Sequence, residues 1–206
     1  MGKKVFCIGS PKTGTTSLGS ALKILGYNHK SYSFELSRKV YQSGDYKILF
    51  AVVEEFDSFD DGPWNRDEFY KVLDENFPGS QFILTVRETQ SWSKSHENHF
   101  SSNGLRNIRK ELWINNYDKK REEFIQEYEA RTKEVINYFS KRPKQLLVMN
   151  ICESEGWEKL CPFLNLPIPS EPFPTKNVTA NKKKSGRFAA SKKKLGKVWS
   201  KLNSLV

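Results

Sequence analysis

Short apolar runs alternate along this chain with amphipathic stretches of helical period. Residues 4–9, KVFCIG, form an apolar run that predicts a first strand. In residues 16–25 the apolar positions Leu18, Ala21, Leu22 and Leu25 share one helical face. Residues 34–54 read as largely helical, with Leu36, Val40, Leu49, Val52 and Val53 as apolar positions and an interruption near Gly44. Residues 56–59 predict a short second strand and residues 67–76 a helix. Residues 81–86, QFILTV, predict a third strand, entered through Pro78-Gly79. The longest predicted helix spans 118–140, with Phe124, Tyr128, Val135, Ile136 and Phe139 turned inward. Residues 146–149 form another buried strand, and Trp157, Leu160, Phe163 and Leu164 recur at helical spacing as core positions. Strands alternating with helices predict an α/β fold: a central parallel sheet covered by helices on both faces, with ligands at the carboxyl ends of the strands. No internal repeat is visible.

The chemistry begins in the loop after the first strand. Residues 4–18 read KVFCIGSPKTGTTSL: a strand, a loop of small and hydroxyl residues, then a helix. That geometry aims backbone N–H groups and a helix N-terminus at one anion, usually a phosphate. The nucleotide-hydrolysing pattern G-x-x-x-x-G-K-[ST] would place a lysine after the second glycine. Here that position is Thr15, and the lysine is Lys12, inside the loop. The strand over residues 81–86 ends in Arg87 rather than in a magnesium-holding aspartate, which also argues against a kinase or NTPase. A guanidinium at that place suits an anion instead, because its planar fork can make two charge-assisted bonds to phosphate oxygens.

Together these motifs resemble the sulfotransferases that use 3′-phosphoadenosine-5′-phosphosulfate, whose loop reads roughly P-K-[ST]-G-[TS]-[TS]. Residues 11–16, PKTGTT, fit it throughout, and Ser95 follows Arg87 by eight residues, as in the family's 3′-phosphate-binding Arg and Ser. The resemblance implies a donor site made by Pro11, Lys12, Thr13, Gly14, Thr15, Thr16, Ser17, Arg87 and Ser95. Lys12 would meet the bridging oxygen between phosphate and sulfate, the loop N–H groups with Thr15 and Thr16 the 5′-phosphate, and Arg87 with Ser95 the 3′-phosphate. The product would be 3′-phosphoadenosine-5′-phosphate, and no metal is required. Ser17 stands where larger relatives carry a tryptophan that stacks on adenine. Trp92, the block VMNICESEGWEKLCPFLN (residues 148–165) and the segment PIPSEPFPTKN (167–177) are similar to the small, single-domain members of the family.

The resemblance places the acceptor's base at Asp61, in FDDGP where better-known relatives have a His two residues before a Pro. Burial and the neighbouring carboxylate of Asp60 would raise its proton affinity. Asp-Gly-Pro is also strong turn chemistry. His96 and His99 remain rivals for the base; HENH is one residue short of a zinc-binding H-E-x-x-H, so no metal site is expected there. The expected reaction is transfer of a sulfuryl group to a hydroxyl or amine, with Lys12 assisting in-line attack. The alternative is a non-catalytic nucleotide-binding module.

Composition bounds the rest. At 206 residues the chain accommodates one compact domain, residues 1–178, and an extension, 179–206. Cys7, Cys152 and Cys161 are odd in number and lie in or beside apolar runs, which fits buried, reduced thiols. The MGKKVF start has no hydrophobic signal core and no run reaches about 18 apolar residues, so a cytoplasmic location is expected. The net charge of +10 is concentrated in residues 179–206, which hold eight lysines and Arg187 and no acid, leaving 25 basic against 24 acidic residues elsewhere. That distribution removes the case for nucleic acid binding by the folded domain. In the tail Leu195, Val198, Trp199, Leu202 and Leu205 recur at helical spacing among lysines, a basic amphipathic pattern suited to an anionic membrane surface or a partner groove. Neither the acceptor nor an oligomeric state has a sequence signature here.

Overall fold

The computed structural model describes residues 3–100 and 121–176. The chain divides into a compact unit, Met1–Pro174, and a second unit, Thr175–Val206, nearly all of which lies outside the described residues. The predicted amphipathic tail falls there, as do residues 118–120 of the longest predicted helix.

Five parallel strands form one sheet: β1 (Val5–Cys7), β2 (His29–Lys30), β3 (Ser58–Phe59), β4 (Gln81–Thr85) and β5 (Leu146–Met149), in the order β2-β3-β1-β4-β5. Register is set by Val5 opposite both Ser58 and Gln81, and by Phe82 opposite Leu146. The helices are α1 (Thr15–Ile24), α2 (Phe34–Ser43), α3 (Phe50–Glu55), α4 (Phe69–Asn76), α5 (Thr89–Phe100), α6 (Arg121–Tyr138) and α7 (Trp157–Leu164). Side chains of successive strand residues point to opposite faces, and the two faces bury different helices. Val5, Cys7, Ile83, Leu147 and Met149 pack with Leu18, Ala21 and Leu22 of α1 and with Trp157, Leu160, Cys161 and Leu164 of α7. Phe6, Ile8, Phe82 and Leu84 turn the other way, onto Val40, Val53, Phe69, Leu73, Val135 and Phe139 from α2, α3, α4 and the α6 end. The fold is therefore the expected α/β sandwich of helices on a parallel sheet.

Several local features follow from single residues. Ser33 caps α2 through the N–H of Leu36, 3.3 Å away, and Gly44 ends that helix at φ 68°. Asp45 then caps a 3₁₀ turn, Tyr46–Leu49, which runs directly into α3. The segment 34–54 is thus two helices and a turn, broken where only glycine accepts a left-handed backbone at no steric cost. The motif around Trp157 is structural: its Nε1 donates to the Glu171 carbonyl at 2.7 Å, and its ring meets Phe173 edge-on at 4.8 Å. These contacts fold the proline-rich segment back against α7.

Three expectations need correction. Ile136, expected to face inward, is 43% exposed, because α6 turns Val135 and the half-buried Tyr138 to the core instead. Cys152 is exposed in the 3₁₀ turn Ile151–Glu153, while Cys7 and Cys161 are buried; all three thiols are free. The strand over residues 56–59 is the third in chain order, since the two-residue β2 precedes it.

Candidate active site

The loop after β1 sits between β3 and β4 at the carboxyl edge of the sheet, the position where parallel sheets hold ligands. Gly9 begins it. A Cβ at Gly9 would lie 1.9 Å from Thr85 Oγ1 and under 3 Å from the Thr85 backbone, so only glycine lets the loop leave β1 so close to β4. Thr13, fully buried, donates to the Ser10 carbonyl at 2.6 Å and shares a second bond of 2.6 Å with the Thr85 hydroxyl. Its side chain is spent on holding the loop shut, leaving its backbone N–H as its means of meeting an anion. Behind the loop, the Arg131 guanidinium donates to the carbonyls of Ile8 at 2.8 Å and Asn65 at 3.0 Å, and Asn65 Nδ2 donates to the Gly9 carbonyl at 3.1 Å.

Lys12 and Gly14 both take left-handed backbone angles, φ 75° and 101°. Gly14 is the N-cap of α1, so the capping residue brings no side chain, and no acid stands in the helix's first turn. A helix end of this kind carries partial positive charge. Thr16 is exposed at the same turn, while Thr15 and Ser17 are buried. With only 3% of its surface exposed, Ser17 offers no platform for a base.

Arg87 follows β4 and reaches the same place. Its backbone N–H donates to the Tyr128 hydroxyl at 2.9 Å, and that hydroxyl donates back to the Arg87 carbonyl at 2.9 Å. Its guanidinium is held by Ser91 Oγ at 2.8 Å from Nη2 and 3.1 Å from Nε, and Nη1 donates to the Lys12 carbonyl at 3.3 Å. Trp92 completes the seam: its Nε1 donates to the Pro11 carbonyl at 2.9 Å while its ring stacks on Tyr128 at 4.1 Å. The hydroxyl that grips Arg87 is therefore Ser91, one turn of α5 ahead of Ser95, which is half-buried on that helix.

Asp61 stands on the opposite side of the loop, after β3, at φ 55°. Its carboxylate accepts from the Thr15 hydroxyl and lies within electrostatic reach of Lys12 and His29. Burial and the neighbouring Asp60 outweigh those stabilising contacts and push its pKa from 3.8 up to about 6. Of the rival histidines, His96 packs between Trp92, at 5.0 Å, and Phe124, at 5.3 Å, in the seam of α5 and α6, and His99 is in the last turn of α5. His29, in β2, is the histidine beside the aspartates. Cys7, below them, has its thiol pushed well up by burial and by Asp60 and Asp61, so it stays protonated.

The structure thus brings together Lys12, Thr15, Asp61 and Arg87 around one α1 N-terminus. Sequence reasoning missed His29, Ser91, Thr85 and Tyr128. The first lies in a strand of two residues. Thr85 meets Thr13 of the loop across 72 positions and Tyr128 meets Arg87 across 41, where spacing carries no signal, while Ser91 stands only four residues after the Arg87 it holds. Among the described residues, no group of three or more His, Cys, Asp or Glu side chains is arranged to hold a metal ion.

The chain is 26% identical over 213 aligned positions to the Ava biosynthesis cluster protein M of Aspergillus versicolor, with 83% of this chain and 79% of that protein covered. The family model for the sulfotransferase domain matches residues 4–182, so the chain belongs to the sulfotransferase-domain family.

Proposed function

We propose that this protein transfers a sulfuryl group from 3′-phosphoadenosine-5′-phosphosulfate to a hydroxyl or amine acceptor. The observation that carries the reading is the convergence of three groups on one helix N-terminus: Lys12 in the loop, Arg87 tied to the Lys12 carbonyl, and Asp61 bonded to Thr15. The residues present fit such a donor. The N-terminus of α1, opened by Gly14 and with Thr16 at its first turn, suits the 5′-phosphate. Arg87, whose Ser91 contact fixes the plane of the guanidinium, suits the 3′-phosphate. The donor supplies an activated sulfuryl group whose departure leaves a phosphate oxygen gaining negative charge.

Lys12 then acts where charge develops. Its ammonium stabilises the leaving oxygen more in the transition state than before reaction. Asp61 takes the proton from the acceptor as the acceptor oxygen or nitrogen bonds to sulfur. With a pKa of about 6 it is largely ionised at neutral pH yet basic enough to hold that proton. Thr15 and Lys12 orient it. Tyr32, whose phenol is pushed up by burial and by Asp61, is an aromatic side chain close enough to Asp61 to feel its charge.

A second reading, a non-catalytic nucleotide-binding module, draws on one observation. Ser17 is buried where larger relatives stack adenine on tryptophan, so donor affinity must come from the phosphates. Incubation with sulfur-labelled donor and a panel of alcohols, phenols and amines separates the two. Label transferred by the native chain and abolished in Asp61→Asn supports transfer. Donor bound but never consumed supports the module.

A further inference from the structure

Directly behind Asp61 lies a buried pair that the proposed transfer does not use. The side chains of His29 and Asp60 are each 1% exposed, with His29 Nε2 3.3 Å from Asp60 Oδ1. The atoms are near enough for charge attraction but not aligned for a hydrogen bond, and both are buried without one. On its other side, His29 Nδ1 lies 2.8 Å from the Ser58 hydroxyl. A glycine makes the room: a Cβ at Gly19 of α1 would sit 2.5 Å from Asp60 Oδ2 and 2.6 Å from His29 Nε2. Three elements, β2, the end of β3 and α1, are thus shaped around one imidazole and one carboxylate. Burying such polar groups without a hydrogen bond between them is costly.

We propose that His29 and Asp60 are positioning residues for Asp61, holding the turn that presents it and setting the polar surroundings of its carboxylate. This rests on the reading of Asp61 as the base. Asp60 immediately precedes Asp61 in the chain, and its backbone N–H donates to the Lys30 carbonyl at 3.2 Å, which ties the start of this turn to the end of β2. Asp60 acts on Asp61 to raise its pKa and His29 to lower it, which agrees with the geometry. The remaining groups facing Asp61 are Lys12 and Thr15 from the loop and α1, Tyr32 ahead of α2, and the protonated Cys7 of β1.

The two members of the pair therefore make a signed prediction. The full chain, labelled with carboxyl-carbon-13 aspartate, is titrated by NMR as wild type, His29→Gln and Asp60→Asn. The Asp61 midpoint should rise in His29→Gln and fall in Asp60→Asn, each by about half a pH unit or more, a threefold change in proton affinity. Midpoints that stay within about 0.2 units of wild type, or that move the same way in both variants, overturn the proposal. If His29→Gln does not fold, Asp60→Asn decides alone: a midpoint that fails to drop rejects it. The titration needs no turnover, so it separates this inference from the function. Shifted midpoints with an unshifted pH profile of transfer would keep the pair and remove Asp61 from the reaction.

Discussion

Arg87 Nη1 donates to the carbonyl of Lys12 across 3.3 Å, joining the residue after β4 to the centre of the loop after β1. The bond makes one site from two segments 75 positions apart, at a residue whose backbone is left-handed, φ 75°. A non-glycine residue held at such an angle stores strain, and strain of this kind concentrates at functional sites. Asp61, at φ 55°, shares that left-handed backbone.

Lys12→Ala removes the charge from the leaving oxygen while sparing the loop's N–H groups. Transfer should fall roughly 10²-fold or more, by analogy with removal of an oxyanion donor, while affinity for 3′-phosphoadenosine-5′-phosphate falls much less. Single-turnover consumption of labelled donor, measured beside calorimetric binding of the product nucleotide, reads both. An equal drop in both would assign Lys12 to binding alone.

The raised pKa of Asp61 gives a pH dependence with a definite sign. Asp61 must be ionised to accept a proton, so kcat/KM should fall as pH drops through about 6, and Asp61→Asn should lose both the activity and that acidic limb. Stability runs the other way. Because the folded carboxyl binds its proton more tightly than the unfolded one, the stability it contributes is full below about 3.8 and is lost as pH rises through about 6. Thermal melts of Asp61→Asn and wild type should therefore diverge in favour of the variant between pH 4 and pH 7, about the range those two values span. Parallel melting curves would show that Asp61 is not desolvated as described.

Gly9→Ala tests the closeness of the loop to β4. The added methyl meets the Thr85 hydroxyl at 1.9 Å and the Thr85 backbone at 2.7 and 2.8 Å, so the strands themselves must separate. The cost should be about 1–3 kcal/mol or more, seen as a lowered denaturation midpoint. Thr85→Ser, which keeps the hydroxyl bonded to Thr13, should cost far less. An unperturbed Gly9→Ala would mean the loop is looser than these distances allow.

Much of the fold was legible in the sequence because its signals are local. β5 runs over the predicted residues, and β4 and α1 fall within one residue of their predicted bounds, since each is a run of apolar residues at one clean period. The loop from Pro11 to Ser17 was legible because a glycine-and-hydroxyl turn between strand and helix has few other uses. What was hidden is what depends on tertiary neighbours. β2 is two residues, His29 and Lys30, fixed by pairing with Ser58 and Phe59 rather than by its own composition. α5 is a polar helix whose inward residues are few, Trp92 foremost, so its period is faint. Ile136 followed the helical pattern of α6, but the core it would have joined is filled by Val135, Tyr138 and Phe139.

The basic tail has a separate consequence. The family match ends at residue 182, and residues 179–206 hold nine of the basic side chains and no acid. A chain truncated after Asn177 should keep its nucleotide affinity and lose any binding to anionic vesicles, measured by co-sedimentation. For the full chain that binding should weaken steeply with salt, since attraction to the surface is screened within about 10 Å at 0.1 M. Failure of the truncated chain to bind nucleotide would instead place tail lysines in the active site.

The donor class is tested most directly by calorimetry of 3′-phosphoadenosine-5′-phosphate against AMP and ATP, without magnesium, in wild type and Arg87→Ala. The bisphosphorylated nucleotide should bind far more tightly than AMP. Arg87→Ala should cancel most of that preference, at a cost of about 2–5 kcal/mol, because it leaves a shielded phosphate without its cationic partner. Equal affinity for the bisphosphate and AMP, or a preference unchanged by Arg87→Ala, would contradict it.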